Sequence, residues 1–260
     1  MFKCVFAAGV FSLAAFSAQA DVDVRAALTG FNVQLIDLDP VDGIAPALTF
    51  GSGWLLASAS NSLPNGSSTY DSVYYTSPFH ADSRSATLGP LTSGFQFNAA
   101  NGLDGLKSSV AAGTSNDVAE PRTSLGATAN MGVEFTLTPQ TQMILSFTAM
   151  ADVQSSMHAD SHYLNSVLAS ASATIEGDGG GAGSVHINVS PNTWNVAEHQ
   201  EQSFVLAYSN DATLSRTGFF QTYVGVSQWV TEVPEPATSG LFASGAALFA
   251  LLARRRRVTA

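Results

Sequence analysis

A single cysteine, Cys4, is present in 260 residues, so the chain cannot close an internal disulfide or build a thiolate metal site. That cysteine lies in a stretch with the layout of a secretory signal peptide. Residues 1–20 read MFKCVFAAGVFSLAAFSAQA, with Lys3, an apolar core from Val5 to Phe16, and a small-x-small ending at Ala18 and Ala20. Cleavage after Ala20 is expected, which leaves acidic Asp21 first and removes the thiol. No Leu-rich lipobox precedes Cys4, so no lipid-anchored cysteine is expected. An exported body of this kind must draw its stability from its core, and a little over 200 residues suffice for one.

Basic residues are also scarce. There are 10, and four of them are consecutive near the end: Arg254, Arg255, Arg256 and Arg257. Between residues 21 and 235 only Arg25, Arg84, Lys107, Arg122 and Arg216 are basic. These five bases stand against all 20 acids, a net charge of −15. Such a surface repels phosphate backbones and anionic polymers, which excludes nucleic-acid binding. Catalytic signatures are missing too. There is no G-x-S-x-G elbow, no H-E-x-x-H pair and no G-x-x-x-x-G-K-[ST] loop.

Helical periodicity is nearly absent from the body. A brief helix is expected only around Leu103 to Ala111. Elsewhere apolar residues recur with period two, which places them on one face of a strand. Phe31, Val33 and Leu35 alternate with Asn32 and Gln34, and Val133, Phe135 and Leu137 alternate with Glu134 and Thr136. Leu145 to Ala149, Val167 to Ile175, Phe204 to Tyr208 and the run Gly218 to Val230 follow the same rule. Turn signals divide these runs at Asp42-Gly43, Pro64-Asn65-Gly66, Asn101-Gly102, Asp178 to Gly183 and Ser209-Asn210-Asp211. The Gly-rich stretch Glu176 to Ser184 reads as a hairpin tip. Together these signals give an all-β fold, an antiparallel β-sandwich of jelly-roll-like form, from residue 21 to 231.

Few residues gather as candidate sites. Asp37, Asp39 and Asp42 fall within six residues on LIDLDPVDGIAP, and close carboxylates on a turn suit Ca²⁺. The spacing departs from an EF-hand loop and no bidentate Glu follows, so an acidic turn between strands is the competing reading. His158, Asp160 and His162 could hold a transition metal, against the simpler reading of a polar hairpin end. Otherwise no cofactor is expected. Glu134, Glu198 and Glu201 are available to a glycosidase, but nothing selects them. Trp54, Trp194 and Trp229, with Tyr70, Tyr74 and Tyr75, could stack on sugar rings, although aromatics in a sandwich more often fill its core or pair across strands. Asn65-Gly66-Ser67 and Asn188-Val189-Ser190 match the short glycosylation sequon.

The tail is more distinctive. Ala237 to Ala253 is a run of 17 residues without charge. As a helix it reaches roughly 26 Å, the lower limit for a transmembrane span. Arg254 to Arg257 would stay cytoplasmic and the body would lie on the far side. Just before it stand Pro234, Glu235 and Pro236, whose prolines hold an extended segment outside the bilayer. This order of Pro-Glu-Pro, apolar helix and terminal arginines, joined to an N-terminal signal peptide, closely resembles the PEP-CTERM sorting signal. It covers residues 232–260. The resemblance implies a Gram-negative bacterium that makes exopolysaccharide, with an exosortase as processing partner and Pro234, Glu235 and Pro236 as its recognition element. QLIDLDPVDGIAPALTF and FTLTPQTQMILSFTA carry a weaker likeness to bodies of PEP-CTERM proteins of unknown function, which implies no activity.

The expected route is export, passage through an inner-membrane intermediate, and release or attachment at the cell surface or within the extracellular matrix. The expected role is non-enzymatic, with exopolysaccharide as a candidate partner. The alternative is a carbohydrate-binding module or carbohydrate-active enzyme on the same scaffold.

Overall fold

The computed structural model describes residues 22–114, 123–155, 163–178, 182–190 and 196–232. The described residues form twelve strands: β1 Val22–Asp37, β2 Leu48–Ser62, β3 Ser68–Tyr75, β4 Ala81–Leu88, β5 Leu91–Asn98, β6 Lys107–Thr114, β7 Ser124–Leu137, β8 Thr141–Ser155, β9 Tyr163–Gly177, β10 Gly183–Val189, β11 Val196–Asn210 and β12 Arg216–Glu232. They form two six-stranded sheets, ordered β11-β8-β1-β6-β5-β4 and β10-β9-β12-β7-β2-β3. Every pairing is antiparallel. The sheets stack face to face, with β4 against β3, β5 against β2, β6 against β7, β8 against β9 and β11 against β10. The expected antiparallel sandwich is therefore present, in a twelve-stranded form.

Period-two patterning sorts the side chains. Leu145, Phe147, Ala149, Ala151 and Val153 of β8 point inward, as do Val167, Ala169, Ala171, Ala173 and Ile175 of β9. Aromatic contacts tie the sheets together. Phe31 stacks on Phe147 at 4.7 Å and meets Phe220 of the opposite sheet edge-on at 6.0 Å. Phe135 and Tyr208 also cross between sheets, at 5.2 Å. The Tyr208 hydroxyl donates to the Thr217 carbonyl at 3.2 Å, and burial raises its pKa.

The expected helix around Leu103 to Ala111 does not form. Residues 101–105 are turns and the rest enters β6. Leu103 and Leu106 are both buried, and Gly105 N–H donates to the Phe31 carbonyl at 2.9 Å. The three-residue spacing of these leucines comes from a buried turn clamped to β1, not from a helix face. Among the described residues there is no helix long and apolar enough to cross a membrane.

Register defines two poles. Asp37, Thr141 and Asn210 lie side by side at one end of the first sheet, and Leu48, Leu137 and Arg216 at one end of the second. The short link Thr138 to Gln140 joins those two ends, so they form one pole. Buried Asn210 fastens it, donating to the carbonyls of Leu137, Thr138 and Leu214 at 3.2, 2.9 and 2.9 Å. The opposite pole holds Val22, Thr114 and Ser155 of the first sheet and Ser62, Ser124 and Trp229 of the second. Both Val22 and Glu232 leave the sandwich there. The poles stand roughly 50 Å apart, given about 3.3 Å per residue along strands of this length.

Candidate functional site

The acidic turn is built from its own backbone. Asp37 Oδ1 accepts from Asp39 N–H at 3.0 Å, Asp39 Oδ1 from Val41 N–H at 3.4 Å, and Asp42 Oδ1 from Ile44 N–H at 2.6 Å. These bonds are how aspartates shape turns. Leu38 N–H then pins the turn to the Gln140 carbonyl at 2.7 Å. No group of three or more His, Cys, Asp or Glu side chains among the described residues is arranged to hold a metal ion. The Ca²⁺ expectation at Asp37, Asp39 and Asp42 thus meets a turn in which each carboxylate is used locally.

Other candidate residues are scattered. Glu134 lies on the outer face of the second sheet, whereas Glu198 and Glu201 lie on β11 of the first. Glu201 Oε2 sits 3.6 Å from His199 Nε2, whose Nδ1 is 3.5 Å from Asp152. Asn65 accepts from Ser67 N–H in the β2–β3 turn, and Asn188 lies on β10. His158, Asp160, His162 and Trp194 fall outside the described residues. So do Ala18, Ala20, Pro234, Glu235, Pro236 and Arg254 to Arg257, with the signal peptide and the expected C-terminal helix.

The aromatic candidates give the clearest result. Leu55, Ala57 and Ala59 take the inside of β2, so Trp54 and Leu56 face out. On β3, Val73 points inward while Tyr70 and Tyr74 face solvent, Tyr74 with 64% exposure. Trp229 is likewise outward. Tyr75 alone turns to the flank, where its hydroxyl donates to Asp82 at 2.8 Å. Arg84 pairs there with Asp82 and Asp71, both at 3.2 Å, closing the gap between edge strands β3 and β4. Burial pushes the Asp82 pKa up, but the Tyr75 hydroxyl, Ser83 N–H and Arg84 together leave it lowered.

On the second sheet's outer face, Trp54, Gly132 and Gln221 share a row across β2, β7 and β12. A Cβ built on Gly132 would lie 2.5 Å from the Phe219 ring and 2.9 Å from Trp54. Both rings therefore occupy the space that a side chain at 132 would need. At Gly225 a Cβ would collide with the Tyr223 ring, which leans along its own strand. Glycine inside a strand is the device that admits this close approach. Beside the rings stand uncharged hydroxyls and amides. Ser58 and Thr128 hydroxyls are 3.1 Å apart, and Gln221 Nε2 donates to Asn130 Oδ1 at 3.3 Å.

Register sets Glu134 and Glu176 on either side of Phe219. With Asp178 they line an open groove of about 550 Å³ at the Phe219 end of the face. Glu134 is held by the Ser52 hydroxyl at 2.5 Å. Phe219, Tyr223 and Glu176 were not singled out in the sequence. Their signal was the opposite parity to Phe220 and Val224, together with glycines in mid-strand.

The first sheet's outer face differs. Its groove of about 620 Å³ is lined by small and charged residues, among them Asp23, Arg25, Ala27, Gly94 and Ala111, with Met150. Phe95, at that groove, is buried in the core.

Comparison with known proteins gives one clear match. Residues 232–257 match the PEP-CTERM protein-sorting motif. The motif marks the chain for export and membrane-anchored sorting toward the cell surface, with processing by an exosortase. No curated protein matches the chain. A solved structure of carbohydrate-binding modules from the β-sandwich superfamily aligns with 73% of this chain and 97% of its own, at 9% identity and a TM-score of 0.10. A score that low carries no argument about this chain.

Proposed function

We propose that this chain is an exported, non-enzymatic component of the cell surface or extracellular matrix. Its signal peptide is removed after Ala20. The tail then spans the inner membrane, with Arg254 to Arg257 in the cytoplasm, until exosortase acts near Pro234, Glu235 and Pro236. The sandwich is afterwards released or attached among exopolysaccharide.

One observation carries this reading: the sorting motif begins at residue 232, where β12 ends. The attachment point therefore lies at one pole, and the opposite pole stands roughly 50 Å from it. A rigid antiparallel body tethered at one end is suited to displaying its faces outward. Charge agrees, because a net −15 between residues 21 and 235 keeps such a body soluble.

Fractionation of an exosortase-bearing host expressing the chain tests the reading. Native protein should reach the surface or medium without its Arg254 to Arg257 peptide. The triple substitution of Pro234, Glu235 and Pro236 by alanine should hold it in the inner membrane with the tail intact. Surface material that still carries the arginines, or a triple variant delivered normally, would contradict it.

A further inference from the structure

We propose that the outer face formed by β2, β7 and β12 binds a neutral polysaccharide chain, with Trp54, Phe219 and Tyr223 as its stacking rings. Trp54 and Phe219 close over Gly132, and Tyr223 lies over Gly225. The bare glycine backbone lets these rings pack close against the sheet, with Tyr223 36% exposed and Trp54 and Phe219 partly exposed. Flat rings of this kind match the flat C–H faces of sugar rings, while the hydroxyl edges need polar partners. Those partners surround the rings as Ser58, Thr128, Asn130 and Gln221. A wholly apolar partner would strip water from these groups without replacing its hydrogen bonds.

The spacing favours a chain over a small molecule. Gly132 is in register with Gln221, and Gly225 lies four residues further along β12. At about 3.3 Å per residue the two ring sites are roughly 13 Å apart. Charge sets the class of polymer. Among the described residues, Arg25, Lys107 and Arg84 belong to the first sheet, and Arg216 shares its register with buried Leu137. Among the described residues, therefore, no lysine or arginine projects beside the rings. Glu134 and Glu176 flank Phe219 instead, where they accept hydrogen bonds from hydroxyls and repel anionic glycans.

This extends the proposed exported role and does not depend on processing of the tail, so the two can fail separately. The test is affinity electrophoresis of the full-length chain in detergent, with dextran, laminarin and galactomannan as neutral probes and alginate as an anionic one. At least one neutral probe should retard the native protein and alginate should not. Tyr223→Ala and Phe219→Ala should each weaken that retardation about tenfold. Arg25→Ala and Gln96→Ala on the other sheet should leave it unchanged. Circular dichroism of each variant confirms that the fold persists, and Trp54→Ala, expected to weaken the retardation likewise, replaces Phe219→Ala where that variant fails to fold. No retardation by any neutral probe, preference for alginate, or equal loss with the first-sheet variants would overturn the proposal. So would self-association that the ring substitutions abolish, which would assign the face to a second copy of the chain.

Discussion

The two outer faces of this sandwich rest on one core yet present different chemistry. The face of β2, β7 and β12 lays Trp54, Phe219 and Tyr223 against Gly132 and Gly225. The face of β1, β5 and β6 shows Asp23, Arg25, Ala27, Gly94 and Ala111, and among the described residues no ring is laid across it. Alternation along a strand explains how both arise, since every inward residue leaves its neighbours free to vary. The core fixes one parity, and the other parity records what each face meets outside. The proposed recognition uses one side of a body whose fold would tolerate it on either.

The strongest way to break the comparison is to remove the core that both faces share. Phe135 is fully buried and packs edge-on against Tyr208. Phe135→Ala should cost about 3–5 kcal/mol in chemical denaturation and disorder both faces together. Gly132→Ala is smaller and selective. Its Cβ would press on Phe219 and Trp54, costing about 1–3 kcal/mol by overpacking. It should also quench or shift Trp54 fluorescence while leaving the Asp23–Arg25 side unaltered by NMR.

The flank that holds the sheets together sharpens the comparison through pH. Asp82 has a lowered folded pKa, so its contribution to stability is present above the unfolded aspartate range and disappears as pH falls through the folded value. Denaturation midpoints should therefore fall below about pH 4, and Asp82→Asn should flatten that limb. The smallest effect belongs to the first sheet's face. The Arg25–Asp23 pair is exposed, and Arg25→Ala should change stability by no more than about 1 kcal/mol.

Much of the fold was legible because a half-buried strand writes its burial directly into period two. Val133, Phe135 and Leu137, and the alternating run from Val167 to Ile175, are buried as that pattern requires. Strand order was not legible, because β1 meets β6 and β8, partners far along the chain whose choice depends on the whole core. The stretch Leu103 to Ala111 misled, because Leu103 and Leu106 are buried by a turn and the rest enters β6. Of the three outer-face rings only Trp54 was legible as a candidate, and not as part of a surface. Trp54 becomes part of a platform only when Gly132 and Phe219, remote in sequence, arrive beside it. The acidic turn shows the reverse case: Asp37, Asp39 and Asp42 are close in sequence, yet each caps its own neighbour's amide.

Hydroxyl-radical footprinting of the full-length chain, with and without saturating laminarin, dextran or galactomannan, reads both faces in one sample. Trp54, Phe219 and Tyr223 should be protected, while Met150 and His199 on the opposite face stay as reactive as in the free protein. Protection centred on Met150 and His199, or equal protection of both faces, would contradict a recognition surface on the second sheet.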